Sequence, residues 1–464
     1  MFAEDASENA GSYHSVMILT FLRNVSRVLG TRLLRRPALA KAMTNTGWLI
    51  GEKGVRLGLG LFVWVWIARY LGPQDFGTYM FALAFVGLFG VVATLGLDRI
   101  VVREIVHDPS CTNEILGSSF ILRLVSGTCG LLLSFLAIYF VRPDDPTMRW
   151  LVAIAGLALV FQAFSVIDLW FQSQVIAKYS VWARSVAFVI VAVILMTLVF
   201  IHAPLIAFAW VVLGETILGM IGLVLVYVIT GHRLMAWQIR TKRVIALISE
   251  SWPLIVSGLA IMIYMKIDQV MIGVMIDDNA VGVYSAAARV SEFWYFIPMA
   301  IVSSLTPALI EAKKSSEDVY YRSLRKLFYL MSALAFAIAI PMTFFSGFVI
   351  RLLFGQAYSA AGTVLAVHIW AAIFVFLGVA QSVWTINEGL AKLLMVRTLM
   401  GAGANVLLNF ILIPKYGPLG AAIATVSSYA LSAFVANAFS WRTRWIFYTQ
   451  LESLTFGVLR VAHR

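Results

Sequence analysis

Four charged side chains, Lys266, Asp268, Arg289 and Glu292, stand inside two apolar runs that fill residues 249–314 and meet at the acidic turn Asp277-Asp278-Asn279. Each run, at about 20 residues or more, is long enough to cross a hydrocarbon core of roughly 30 Å, so the pair reads as a transmembrane hairpin. A charge at the centre of a span costs about 2.5–3.5 kcal/mol on insertion scales. Counting about 1.5 Å of rise per residue from the turn, Asp268 and Arg289 lie at a similar depth, roughly 10–12 Å, and could pair across the hairpin. Glu292 follows Arg289 by one turn on the same face. Lys266 points away from Asp268, because two residues rotate a helix by about 200°. Two uses are open to these charges: ion pairs that lock helix packing, or the lining of a polar cavity.

A second set of charges stands in the first apolar run, NTGWLIGEKGVRLGLGLFVWVWIARYLG, which carries Glu52, Lys53 and Arg56 among several glycines. Glu52 and Arg56 are spaced i,i+4 in the favourable order for a local pair, which leaves Lys53 over. The glycines suit close helix packing or bending. The guanidinium of Arg56 suits bidentate capture of a phosphate, and the Lys53 ammonium a point-charge contact. Asn405 and Asn409, also i,i+4, share one helix face and suit interhelical hydrogen bonding. Asp168 and Glu215 are candidates for protonation coupling, or solvated acids near span ends.

The elements that must position these residues follow from composition. With 61% hydrophobic and 12% charged residues among 464, the chain is a polytopic membrane protein. Apolar runs separated by Gly, Pro or charged breaks fall at 47–68, 77–97, 117–140, 150–170, 182–201, 205–229, 252–275, 281–308, 325–349, 359–385, 391–412 and 418–440, which makes twelve spans. The weakest boundary is His202-Ala203-Pro204. Residues 1–44 form a tail that lacks the basic start and cleavage site of a secretory signal. Its apolar and Arg residues from 15 to 39 suit a helix lying on anionic lipid, or a disordered basic tail. Met43 is an alternative start to Met1.

Of the 35 Lys and Arg residues, 26 fall in segments on the side of the N-terminus or in adjoining span ends, five on the opposite side, and four within spans. The positive-inside bias therefore puts both termini in the cytoplasm, and it explains the net charge of +12 without nucleic-acid binding. Cys111 and Cys129 are too few and too isolated for a disulfide framework or a metal site, and read as packing residues.

The chain also repeats itself. FGTYMFALAFVGLF at 76–89 and VGVYSAAARVSEFW at 281–294 share a G-x-Y start, and a weaker echo links 174–184 with 388–398. Six spans lie between equivalents, so the halves share orientation about an axis along the membrane normal, which is a parallel-repeat transporter plan. The expected organisation is an N-lobe at 45–230, a cytoplasmic linker at 231–248, a C-lobe at 249–440 and a cytoplasmic tail at 441–464, with the substrate path between the first helices of each lobe and their neighbours. No hydrolase, kinase, Walker or zinc signature appears, and no loop between spans exceeds about twenty residues, so an enzyme is not expected, nor a cofactor.

ARYLGPQDFGTYMF at 68–81 and IDQVMIGVM with VGVYSAAARVSEFWYFIPMAIVSSLTPAL further on resemble the polysaccharide flippases of O-antigen, capsule and exopolysaccharide assembly. These belong to the superfamily that also holds multidrug-and-toxin exporters and lipid II flippases. The similarity runs from about residue 45 to 440. It implies an all-α integral membrane fold of twelve helices in two six-helix lobes, V-shaped and alternating in access. It also implies a bacterial inner-membrane flippase that moves undecaprenyl-diphosphate-linked oligosaccharide from the cytoplasmic to the periplasmic leaflet, driven by an ion or by membrane potential. By that resemblance Arg56, Lys266 and Arg289 contact diphosphate or acidic sugars, and Asp268 organises them or responds to an ion; Lys53 is a further candidate for substrate binding, and Glu292 and Glu52 are further candidates for coupling or ion pairing. A polysaccharide polymerase and a chain-length regulator are the implied protein partners. The rival readings are a drug exporter of the same superfamily, for which a cationic drug calls for an acid-rich cavity, and a lipid II-type flippase.

Overall fold

The computed structural model describes residues 37–458, apart from the side chains at 37–47, 49, 50, 52, 53, 55 and 391. The tail up to residue 36 and the side chains of Glu52 and Lys53 lie outside the described residues. Among these residues every regular element is helical. The long helices are α1 (37–71), α2 (73–94), α3 (Thr112–Val141), α4 (Pro146–Ser173), α5 (Lys178–Phe200), α6 (Leu205–Ile229), α7 (Thr241–Met275), α8 (Asp278–Ser315), α9 (Glu317–Phe354), α10 (Ala361–Asn387), α11 (Ala391–Tyr416) and α12 (Pro418–Phe439). Short helices Asp98–His107 and Arg444–Leu454 lie outside these spans.

The breaks have local causes. α1 and α2 run into one another except at Gly72, whose φ of 71° and ψ of 173° are open to glycine, and Pro73 removes the next backbone donor. One continuous helix from 37 to 94 would be about 87 Å long, nearly three times the hydrocarbon thickness, so the kink turns one run into two spans. The weak boundary at 202–204 is a true turn: His202 adopts φ 55°, and Pro204 is extended ahead of α6. Large apolar side chains such as Phe140, Ile229 and Phe344 are at least 75% exposed, as expected of surfaces that face lipid.

The helices gather in two groups. α3 packs on α4, α5 on α6, and α4 on α6, with α1 and α2 against them; α7 packs on α11, α11 on α12, and α8 and α9 on α10. α2 joins the groups by lying against both α7 and α8. The joint is closest at the end of the molecule remote from the linker, where the G-x-Y repeat meets itself. A Cβ on Gly77 would stand 1.7 Å from the Asp278 carbonyl oxygen, and one on Gly282 would stand 2.0 Å from the Pro73 carbonyl oxygen. Each repeat's glycine therefore admits the backbone at the start of the other repeat's helix. The tyrosines of the two motifs turn inward, Tyr79 Oη donating to the Phe208 carbonyl at 3.3 Å and Tyr284 Oη to Asp268 at 2.5 Å.

This contact makes a direct prediction. Overpacking typically costs about 1–3 kcal/mol, so Gly77→Val is expected to weaken closure at this end by roughly ten- to a hundredfold. A cysteine placed at Ala280, which is 7% exposed, should then react correspondingly faster with a water-soluble maleimide in purified protein. Unchanged labelling would mean that the close approach of the repeats does not hold the seam.

Candidate functional site

Three polar assemblies occupy the apolar interior. The first seals the remote end between the two groups of helices. Arg142, just past α3, donates through Nη1 and Nη2 to the Asp278 carboxylate at 3.0 and 2.6 Å and through Nη2 to the Gly273 carbonyl at 2.6 Å. Its guanidinium lies over the Phe81 ring at 4.1 Å. Thr78 Oγ1 donates to the same carboxylate at 2.8 Å, and Asp278 is only 8% exposed. Alongside, Tyr358 Oη donates to the Ala68 carbonyl at 2.8 Å, and Arg69 donates to the carbonyls of Leu352 and Leu353 at the end of α9. The last carbonyls of a helix lack intrahelical partners and carry its negative pole, so a cation is well placed there.

The second assembly lies inside the α1–α6 group. Arg56 of α1 pairs with Glu215 of α6, and Arg184 of α5 pairs with Asp168 of α4 at 2.9 Å. Arg56, Arg184 and Glu215 line a cavity of about 210 Å³ with Gln162, Ser165 and Thr216. At its edge Arg123 of α3, almost fully buried, donates to Asp98 at 2.5 Å and to Ser165 at 2.6 Å. Both acids considered for protonation coupling are thus held by guanidinium groups. Arg184 and Arg123, counted from the sequence only as basic residues near span ends, belong to this interior.

The third assembly is in the α7–α12 group. Asp268 is 3% exposed and accepts three hydrogen bonds, each of 2.5 Å, from Tyr284 of α8, Asn409 of α11 and Thr425 of α12. Asn409 Nδ2 also donates to Asn405 Oδ1 at 3.2 Å. Neither asparagine is exposed. The Tyr284 ring stands 5.8 Å from that of His368, itself 2% exposed. Three short bonds from neutral donors stabilise a carboxylate without a counter-cation. The oxygens of Asp268, Asn405 and Thr425 could receive a proton or a monovalent cation. No group of three or more His, Cys, Asp or Glu suited to a metal occurs among the described residues.

The structure corrects the pairing considered across the α7–α8 hairpin. Arg289 does not meet Asp268: its guanidinium lies over the Trp64 ring of α1 at 4.0 Å, with Nη2 3.6 Å from Met80 Sδ of α2. Five residues, about 500° of helix rotation, separate Tyr284 from Arg289, which puts them roughly 140° apart around α8. One therefore faces α7 and α12 while the other faces the opposite lobe. Lys266 and Glu292 are half-buried, and their side chains make no ion pair or hydrogen bond among the described residues. Of the expected site, then, Arg289 reaches the seam, Arg56 the cavity of the first lobe, and Asp268, Asn405 and Asn409 a cluster in the second. Trp64, Tyr284 and Thr425 were not singled out from the sequence, and only the G-x-Y repeat pointed to Tyr284.

The chain matches the family model described as "Polysaccharide biosynthesis protein" over residues 42–313 and that of MatE over residues 253–411. It is 28% identical over 205 residues to a probable low-salt glycan biosynthesis flippase, Agl15, of Haloferax volcanii; the match covers 40% of this chain and 42% of that protein. The chain thus spans less than half the length of this relative. Among solved structures it is similar to an inward-facing multidrug resistance MATE family transporter of the MOP superfamily. The TM-score is 0.69 at 16% identity, over 85% of this chain and 95% of the other. It is also similar to the lipid II flippase MurJ in an inward closed conformation, with a TM-score of 0.62 at 15% identity, over 88% and 91% of the two chains. These likenesses establish the shared fold: twelve long helices in two six-helix lobes, arranged as in those V-shaped proteins.

Proposed function

As the chain belongs to the polysaccharide biosynthesis protein family, we propose that it is a flippase for a lipid-linked oligosaccharide. We take the substrate to be undecaprenyl-diphosphate-linked and to cross a bacterial inner membrane from the cytoplasmic to the periplasmic leaflet. The observation that carries this reading is the charge balance of the interior. Glu215 and Asp168 are engaged by Arg56 and Arg184, and Asp268 is enclosed by neutral donors, whereas Arg289 stands half-buried at the seam against an aromatic ring and a thioether. A diphosphate entering between the lobes needs cationic donors in a low-dielectric path, and a guanidinium is suited to bidentate capture. A cationic drug needs the reverse, an acid with no cation beside it; Glu292, the acid left without an ion pair among the described residues, has the charge of Arg289 one helical turn away.

In this reading the lobes are 45–230 and 249–440, joined by a linker at 231–248, with both termini cytoplasmic, as the distribution of 26 basic residues against five supports. Arg56 and Arg289 contact the diphosphate, with Lys53 and Lys266 as further cationic donors. Asp268 is the group that responds to the coupling ion, and Glu292 and Glu52 are further coupling or ion-pairing groups. The arrangement calls for positioning and electrostatics rather than bond-making, so the protein acts as a transporter and not an enzyme. A polysaccharide polymerase and a chain-length regulator would take over the product.

The test is to measure surface polysaccharide, and lipid-linked precursor in each leaflet, in Arg56→Ala, Arg56→Lys and Arg289→Gln strains with matched amounts of membrane protein. Hydrogen bonds to charged groups contribute about 1.5–3 kcal/mol, so a roughly ten- to hundredfold loss of flipping is expected for Arg56→Ala and for Arg289→Gln. Arg56→Lys should recover part of it, because the charge stays and the fork is lost. Normal polysaccharide together with altered dye or antibiotic efflux would replace this reading with drug export.

A further inference from the structure

The opposite end of the second lobe carries a pocket of a different kind. The first turns of α9 and the start of helix Arg444–Leu454 enclose a cavity of about 360 Å³ lined by Asp318, Tyr321, Arg322, Arg325 and Trp445. Each arginine uses only its Nε: Arg322 donates to the Asp318 carbonyl at 3.2 Å, and Arg325 stands 3.6 Å from Glu452 Oε2. The Nη groups of both are without partners among the described residues, and they border the same space as an aromatic wall in which Tyr321 and Trp445 meet edge to face at 4.7 Å. The cavity has room for about a dozen waters at roughly 30 Å³ each, far more than one ion requires.

Its level in the membrane follows from the length of α9. At 38 residues the helix is about 57 Å long, against a hydrocarbon core of roughly 30 Å. The polar stretch 317–326 therefore projects into the headgroup layer while the apolar remainder spans the core. Phe439 and Trp441, 78% and 84% exposed, flank the pocket's second wall in sequence, and exposed aromatics of this kind mark the membrane interface.

We propose that this pocket binds the headgroup of an anionic phospholipid, with Arg322 and Arg325 on the phosphodiester and Asp318 accepting from a hydroxyl beyond it. Two guanidinium groups with unused Nη donors match a phosphodiester. The single carboxylate favours a headgroup that offers a donor, as the glycerol of phosphatidylglycerol does, over a bare phosphate. The neighbouring lipid-facing aromatics leave the acyl chains in the bilayer. This site is remote from the seam and separate from the proposed transport path, and it holds a resident lipid rather than cargo.

The experiment uses the full chain in detergent, titrated with phosphatidylglycerol, phosphatidylcholine and free glycerol phosphate, with adducts counted by native mass spectrometry and melting temperature followed in parallel. Phosphatidylglycerol is expected to form an adduct of one lipid and to raise the melting temperature, and Arg322→Gln with Arg325→Gln should weaken that adduct at least about tenfold. Arg442→Gln with Arg444→Gln, two exposed arginines beside Trp445 in sequence that do not line the pocket, should leave it in place. Equal binding of phosphatidylcholine would overturn the proposal. So would equal stabilisation by glycerol phosphate, which would make this a soluble-phosphate site, or equal loss in the two double variants, which would make it a diffuse basic surface. Because the readout is lipid binding, a failure here is distinct from a failure of glycan flipping in the Arg56 and Arg289 strains.

Discussion

Arg142→Ala is expected to open the end of the molecule remote from the linker. The residue gives Asp278 two hydrogen bonds and the Gly273 carbonyl a third across the seam, and after truncation the buried carboxylate keeps Thr78 alone. Removing one partner of a buried ion pair costs about 3–5 kcal/mol, because the other charge remains desolvated. That cost falls only on the arrangement in which the lobes are closed, since separation returns Asp278 to water. The equilibrium between closed and open ends should therefore shift by two to three orders of magnitude. Pulsed electron paramagnetic resonance between spin labels at Asp75 and Asn279, both exposed at this end, should show a longer distance population where wild type shows a short one. Arg142→Lys should fall between the two, retaining charge without the fork. The double variant Arg142→Ala with Asp278→Ala should close better than Arg142→Ala alone, because no charge is left stranded. An unchanged distance distribution in Arg142→Ala would show that the carbonyl contacts of Arg69 and Tyr358 and the glycine packing suffice to hold the seam.

Asp268→Leu is expected to be the most destabilising single change in the second lobe. It leaves Tyr284 Oη, Thr425 Oγ1 and Asn409 Nδ2 facing an apolar side chain in a fully buried place. A buried donor left without an acceptor costs about 1–3 kcal/mol. Three such donors, partly relieved by Thr425 bonding the Ala421 carbonyl and Asn409 bonding Asn405, predict a loss of about 3–5 kcal/mol. A large drop in the melting temperature of the purified protein should report it. Asp268→Asn keeps the shape and one acceptor oxygen, so it should insert and fold with a smaller loss. It should also abolish the pH or sodium dependence of flipping if Asp268 is the coupling group. Because Asp268 and Arg289 bond to different helices, the stability effects of Asp268→Asn and Arg289→Gln should add to within about 0.3–0.5 kcal/mol. Rescue of one by the other would restore the direct pair that the structure replaces.

Much of the architecture was legible in the chain itself. The number and order of the twelve spans follow from apolar run lengths, because the bilayer imposes a fixed thickness on any helix that crosses it. Their ends follow from Gly72, Pro73 and the 202–204 turn, because backbone dihedral limits act locally. The G-x-Y repeat announced two like halves, and its glycines proved to be the residues at which those halves meet. The partner of each buried charge was not legible. Arg56 and Glu215 are 159 residues apart, Asp268 and its donors Asn409 and Thr425 are 141 and 157 apart, and Arg142 and Asp278 are 136 apart. The depth of a charge in the membrane is set by its distance from a turn and can be counted. Its partner is set by the rotation of each helix and by which helices are neighbours, and these arise only when the whole bundle packs. Asp268 and Arg289 are counted to one depth on adjacent helices, yet the rotation of α7 turns the first to a cluster inside its own lobe and that of α8 turns the second to the aromatic face of the other.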